Sequence, residues 1–303
     1  MWRAALVLAA VVSTTAASSC SEPQGPSGNS ATPQIAWRSS INGGNINLAW
    51  DGVPAIGDGK LYIADGPNIT ALRTEDGAKV WTTSVHTNVT PETSKILFRG
   101  SQLFFPDLPD VISLDASSGQ VLWRFTPDSQ AVPVESAVDD HAMYTGDWSH
   151  KVYALDIHDG HPLWITDVGQ TWQYFGSVQG LSLAGDTLYV AVSRFLAKNG
   201  YLRSAVIVAL DKTTGRELWR FETDGDRHDI EMTPVVAGRN LIGVDVLFSS
   251  TFAVDRFTGK EVWRIPGAPG RFGPQDAPTV IADTAFIAPT TNTFMRLTRN
   301  RAE

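Results

Sequence analysis

Residues 152–164 read VYALDIHDGHPLW, and this stretch decides the fold because it recurs. ITALRTEDGAKVW (69–81), VISLDASSGQVLW (111–123), IVALDKTTGRELW (207–219) and FAVDRFTGKEVW (252–263) align with it without gaps. Each copy ends on a tryptophan, Trp81, Trp123, Trp164, Trp219 or Trp263, and each has a glycine four residues earlier, Gly77, Gly119, Gly160, Gly215 or Gly259. Four copies have an aspartate eight residues before the tryptophan, Asp115, Asp156, Asp211 and Asp255, where the first has Arg73. Successive tryptophans are 42, 41, 55 and 44 residues apart. That is the period of a four-stranded blade.

Each part of the unit has a physical reading. The alternating apolar residues before the aspartate suit a strand buried between blades. The glycine closes a tight hairpin that needs a positive φ, and the aspartate caps that turn through the backbone. The tryptophan on the next strand offers a broad flat surface to a neighbouring blade. A second hairpin precedes each unit, as in PAIGDGKLYIA from Pro54, SAVDDHAMYTG from Ser136 and PVVAGRNLIGV from Pro234. Two hairpins per repeat give strands A to D. The long spacing before Trp219 requires an insertion, visible at 193–204.

The ends supply one more blade. Residues 35–38, IAWR, resemble an isolated strand D, with Trp37 standing 44 residues ahead of Trp81. Residues 277–281, 285–288 and 293–297 supply strands A to C. Joining them closes the ring and removes exposed sheet edges. The expectation is therefore an all-β chain forming a single propeller of about six four-stranded blades, with seven as the alternative. Trp37, Trp81, Trp123, Trp164, Trp219 and Trp263 are expected to be structural.

The first nineteen residues read as an export signal: Arg3, an apolar run over 4–12 too short to span a bilayer, then small residues. Cys20, the single cysteine, follows Ala17-Ser18-Ser19 and resembles the lipidated cysteine of bacterial lipoproteins, although Ala17 stands where leucine is commonest. Cleavage by an ordinary signal peptidase is the alternative. Residues 20–34 are a Ser/Pro/Gly-rich tether, and 35–303 the propeller. With 24 Lys and Arg against 32 Asp and Glu, net charge −8, nucleic acid is excluded as the main partner.

The pattern VYALD-x-x-x-G-x-x-x-W resembles the repeat of the pyrroloquinoline-quinone-like propeller family across 35–297. Members include quinone-dependent dehydrogenases and the lipoprotein subunit of the outer-membrane β-barrel assembly machine. The resemblance implies the fold and leaves the activity open. The dehydrogenases are longer, and many carry a vicinal disulfide that one cysteine cannot form. No calcium-and-aspartate set for the quinone aligns here, so neither quinone nor calcium is expected. The acidic run DGDRHDIE (224–231) lacks the spacing of a calcium loop and reads as a solvated loop. His158 and His161 lack an acidic partner at ligand spacing and read as surface histidines. No catalytic or metal residue is assigned.

Blade topology puts A–B and C–D turns on one face and B–C and D–A connections on the other. The first set is short throughout, whereas the second holds the long segments 84–93, 126–132, 167–177, 222–230 and 266–275 and the insertion. Aromatics outside the repeat gather on this long-loop face: Trp148, Trp172, Tyr174, Phe175, Phe195 and Tyr201. Aromatics displayed by loops on a rigid scaffold suit binding, while the alternative is that they bury loop backbone against one another. The expected function is a monomeric, non-catalytic scaffold lipoprotein, exported and anchored by lipid at a membrane. It would hold an envelope protein or polymer. A quinone or small-ligand binder, or a quinoprotein-type oxidoreductase, is the alternative.

Overall fold

The computed structural model describes residues 35–39, 54–65, 67–85, 95–107, 109–127, 133–169, 176–196, 203–223, 228–230, 232–245, 250–266, 279–281, 284–290 and 293–298. They form six antiparallel sheets in chain order, with neighbours along the chain paired within each sheet. The first holds β1 (Ala55–Gly57), β2 (Lys60–Asp65), β3 (Asn68–Arg73) and β4 (Lys79–Ser84), and the second β5 (Leu97–Arg99), β6 (Gln102–Asp107), β7 (Asp110–Asp115) and β8 (Val121–Phe125). The third holds β9 (Pro133–Val138), β10 (Ala142–Asp147), β11 (Lys151–Asp156) and β12 (Pro162–Asp167). The fourth holds β13 (Gly176–Ala184), β14 (Thr187–Phe195), β15 (Arg203–Asp211) and β16 (Glu217–Glu222). The fifth holds β17 (Val235–Ala237), β18 (Asn240–Asp245), β19 (Ser250–Asp255) and β20 (Glu261–Ile265). The sixth has β21 (Thr279–Ile281), β22 (Thr284–Thr290) and β23 (Thr293–Thr298).

First strands lie side by side from sheet to sheet: β1 by β5, β5 by β9, β9 by β13, β13 by β17 and β17 by β21. The sheets are therefore consecutive blades of a β-propeller with strand A innermost. The core lies between them. The four-residue alternation of strand C is buried on both faces, as at Val152, Tyr153, Ala154 and Leu155.

The repeat tryptophans join one blade to the next. The indole Nε1 of Trp81 donates to the Ala116 carbonyl at 3.1 Å, Trp123 to Ile157 at 3.0 Å, Trp164 to Lys212 at 3.0 Å and Trp219 to Arg256 at 3.1 Å. Every acceptor lies in the C–D turn of the following blade. The turn glycine beneath each indole has a φ of +70° to +74°, so it meets the positive-φ requirement. It also meets a second one. A Cβ on Gly119, Gly160, Gly215 or Gly259 would lie 2.6 Å from Cε3 of the preceding blade's indole.

Two further residues complete the row. Opposite each tryptophan on strand C stands a small residue: Ala71, Ser113, Ala154, Ala209 or Ala253. Over four of these, an aromatic on strand B reaches the indole at 5.9 to 6.0 Å between ring centroids: Tyr62, Phe104, Tyr144 and Tyr189. Tyr62 donates to the same Ala116 carbonyl as Trp81, and Tyr189 to the same Arg256 carbonyl as Trp219. The aspartates cap the turns as expected: Asp115 Oδ1 accepts from the amides of Ser117 and Ser118, Asp211 Oδ1 from Thr213 and Thr214, and Asp255 Oδ1 from Phe257 and Thr258. The paired serine hydroxyls hold the Asp115 carboxyl well below the usual carboxylate range, at about 2.

Two expectations are corrected. Residues 35–39 form no strand, yet Trp37 docks like the others, donating Nε1 to the Thr74 carbonyl at 2.8 Å above Gly77. The insertion at 193–204 is not a loop throughout. Ser193 to Phe195 continue β14, while Arg203 and Ser204 open β15, so these strands reach nine residues and the hairpin is lengthened.

Candidate partner-binding face

The B–C hairpins and D–A connections share one face, and its bracing starts at the end of strand B. Asp107, Asp147 and Asp245 occupy that position in the second, third and fifth blades, and all three are buried. Buried carboxylates must be hydrogen-bonded or paired, and here each ties down a neighbouring segment. Asp147 Oδ1 accepts from the Ser149 and Lys151 amides at 2.7 and 2.9 Å, and Oδ2 from the Tyr153 hydroxyl at 2.9 Å. Asp107 pairs with Arg124, which also holds Asp110 at 2.6 Å. Asp245 accepts from the Asp229 amide and bonds the His228 ring.

Asp147 thus fixes the turn that carries Trp148, whose side chain is 55% exposed, the most open of the described tryptophans. His150 closes the turn in the left-handed region at φ +58°, where a non-glycine residue needs support from its surroundings. Its Nδ1 lies 2.7 Å from Asp167 Oδ1, and its carbonyl accepts from the Val168 amide at 3.0 Å. Arginines on strand D extend the bracing between blades. The Arg220 guanidinium donates to the Val168 carbonyl of the preceding blade at 2.8 Å, and Arg124 reaches the Val85 carbonyl at 3.4 Å.

The lengthened fourth-blade hairpin carries Phe195, half-buried, with the Arg203 guanidinium 4.7 Å above its ring. Arg203 pairs with Asp229 at 2.5 Å. Asp229 is 1% exposed, and its Oδ1 has no hydrogen-bond partner among the described residues. The reading of 224–231 as a solvated loop therefore fails at 228–230, where Asp229 and Ile230 are buried and His228 is engaged with Asp245. The sequence signal was Ile230 two residues after His228, an alternation unlike that of a free acidic loop. Cys20, Trp172, Tyr174, Phe175 and Tyr201 lie outside the described residues.

The opposite face consists of short turns. Ion pairs cross its blade boundaries: Arg99 to Asp140 by two bonds of 2.6 and 2.8 Å, and Lys212 to Asp139 at 3.0 Å. His158 and His161 are exposed, as read from the sequence, but the expectation that they lack an acidic partner is corrected here. The turn brings Asp156, Asp159 and His161 together, with one ligand atom from each within 4.8 Å of the others. The Asp156 and Asp159 carboxylates already accept from turn amides, and His161 and Asp159 are exposed, so the cluster is a solvated turn with acidic partners.

Tryptophan-docked blades of this kind define a PQQ-like β-propeller. The chain belongs to the family described as outer membrane protein assembly factor BamB, which it matches over residues 28–171 and again over 87–302. It is 23% identical over 240 residues to BamB of Shewanella oneidensis, covering 70% of this chain and 56% of that protein. It is 26% identical over 237 residues to the serine/threonine-protein kinase AfsK of Streptomyces coelicolor, covering 65% of this chain and 29% of the kinase. The chain thus spans less than two thirds of either relative. Among solved structures, BamB from Moraxella catarrhalis superposes with a TM-score of 0.51 at 18% identity, covering 89% of this chain and 87% of the other. A quinohemoprotein alcohol dehydrogenase from Pseudomonas putida gives 0.61 at 17%, covering 77% and 44%. Both likenesses are of fold.

Proposed function

We propose that this protein is a non-catalytic scaffold of the cell envelope, holding an envelope protein or polymer on its long-loop face. The observation that carries the reading is the braced Trp148 turn. A buried aspartate and a strained histidine fix the backbone so that an indole stands in water. Rigid aromatic anchors contribute heavily to binding because little side-chain freedom is lost on contact. The likeness to BamB of Shewanella oneidensis, named as an outer membrane protein assembly factor, supports an assembly role at the envelope. In this reading Cys20 carries lipid, residues 20–34 act as a tether, and the body acts as a monomer facing the periplasm or another extracytoplasmic space.

Photo-crosslinking in cells tests the proposal. A benzophenone amino acid at Trp148 or Phe195 should form a discrete adduct, and one at Thr213 on the opposite face should not. Adducts from Thr213 alone, or none from any of the three positions in folded protein, would overturn it.

A further inference from the structure

The face of short turns is unevenly charged. In the first three blades its turns carry Asp58, Asp76, Asp139, Asp140, Asp156 and Asp159, of which Asp76, Asp140 and Asp139 are paired with Arg73, Arg99 and Lys212. In the fifth they carry Arg239, Arg256 and Lys260, with Asp255 already held by Arg239. Beside the two guanidiniums stands Phe257. It is 59% exposed, with Arg239 5.5 Å and Arg256 4.6 Å from its ring centroid. An exposed ring sheathed by cations, in a protein of net charge −8, is a local exception. An aromatic that can enter an interface beside basic groups that pair with headgroups suits an anionic bilayer surface.

In the lipid-anchored reading the chain path sets the orientation of this face. Strand D leaves the C–D turn and runs toward the long-loop face, with its tryptophan near the turn end. Trp37 docks on Thr74 and Gly77 in that same position. Trp37 therefore meets the body at the first blade's C–D turn, and an anchor at Cys20 would draw this face toward the membrane. We infer that the Arg239–Arg256–Phe257–Lys260 corner of the fifth blade is a contact site for an anionic lipid surface. The long-loop face then points away from the bilayer. This orientation rests on the lipid-anchored reading above, whereas the contact itself does not.

Vesicle co-sedimentation tests the site with the exported chain carrying Cys20→Ser, so that no acyl chain contributes. Vesicles of about 30% phosphatidylglycerol in phosphatidylcholine should bind the protein at low salt, and pure phosphatidylcholine should not. About 0.5 M NaCl should release it. Arg239→Ala should weaken binding roughly fivefold, the effect of about one basic residue at a charged surface. Phe257→Ser should weaken it further. Equal binding to neutral vesicles, no binding to either, or binding to an acidic peptide in place of vesicles would overturn the inference. Those results leave crosslinking from Trp148 untouched, so the two proposals fail separately.

Discussion

Gly215→Ala should destabilise the protein far more than a surface alanine can, and the cost should depend on a residue one blade away. Gly215 has a φ of +70°, which costs an L-residue roughly 1–2 kcal/mol. Its new Cβ would also lie 2.6 Å from Cδ2 and Cε3 of Trp164 and 2.5 Å from Thr166 Oγ1. Overlap of that kind in a packed contact costs about 1–3 kcal/mol. The expected loss is about 2–5 kcal/mol. Trp164→Ala alone should cost about 3–5 kcal/mol. With the indole gone, most of the overlap disappears and the φ cost remains. The double variant should therefore be about 1–3 kcal/mol more stable than the two losses added together. Urea unfolding followed by far-ultraviolet circular dichroism reads all four proteins without relying on tryptophan emission. Additivity within about 0.5 kcal/mol would refute the idea that this indole rests on this glycine.

Two other outcomes are expected, one from the packing of Tyr62 and one from the non-catalytic reading. Burial and the nearby Asp58 and Asp115 carboxylates push the Tyr62 hydroxyl up to about 12. A raised value in the fold means stability is full below the unfolded value of about 10 and is lost as pH rises toward 12. Between pH 9 and 12, wild type should lose about 2–3 kcal/mol more than Tyr62→Phe in urea unfolding, and parallel losses would contradict the assignment. Adding pyrroloquinoline quinone with calcium should leave the melting temperature unchanged and produce no dye-linked alcohol oxidation. A saturable rise in melting temperature would favour a quinone-binding propeller.

Much of this fold could be read in one dimension, because the glycine, aspartate and tryptophan lie on a single hairpin at constant spacing. What could not be read depends on pairing between strands. The small residue opposite each indole, ten positions upstream, becomes meaningful only once the bulge in the C–D hairpin sets its register. The aromatic row from Tyr62 to Tyr189 requires strand B to be placed as well. Trp148 was legible as an aromatic outside the repeat. Its exposure was not, since that depends on Asp147 capping the turn and on His150 accepting a positive φ. Asp229 was hidden for a similar reason: its partner Arg203 belongs to the lengthened hairpin of the previous blade, 26 residues earlier. The Arg239–Phe257–Arg256 corner joins an A–B turn to a C–D turn, a contact that sequence spacing does not announce.

The account rests on indoles that bridge successive blades, and indole N–H exchange measures that bridge directly. In nitrogen-15 spectra of the whole protein, assigned by single Trp→Phe variants, the Nε1 protons of Trp81, Trp123, Trp164 and Trp219 should exchange slowly with D2O. That of Trp148 should exchange within the dead time. Fast exchange at the four bridging indoles would mean that they face water, and the blade-to-blade docking described here would be wrong.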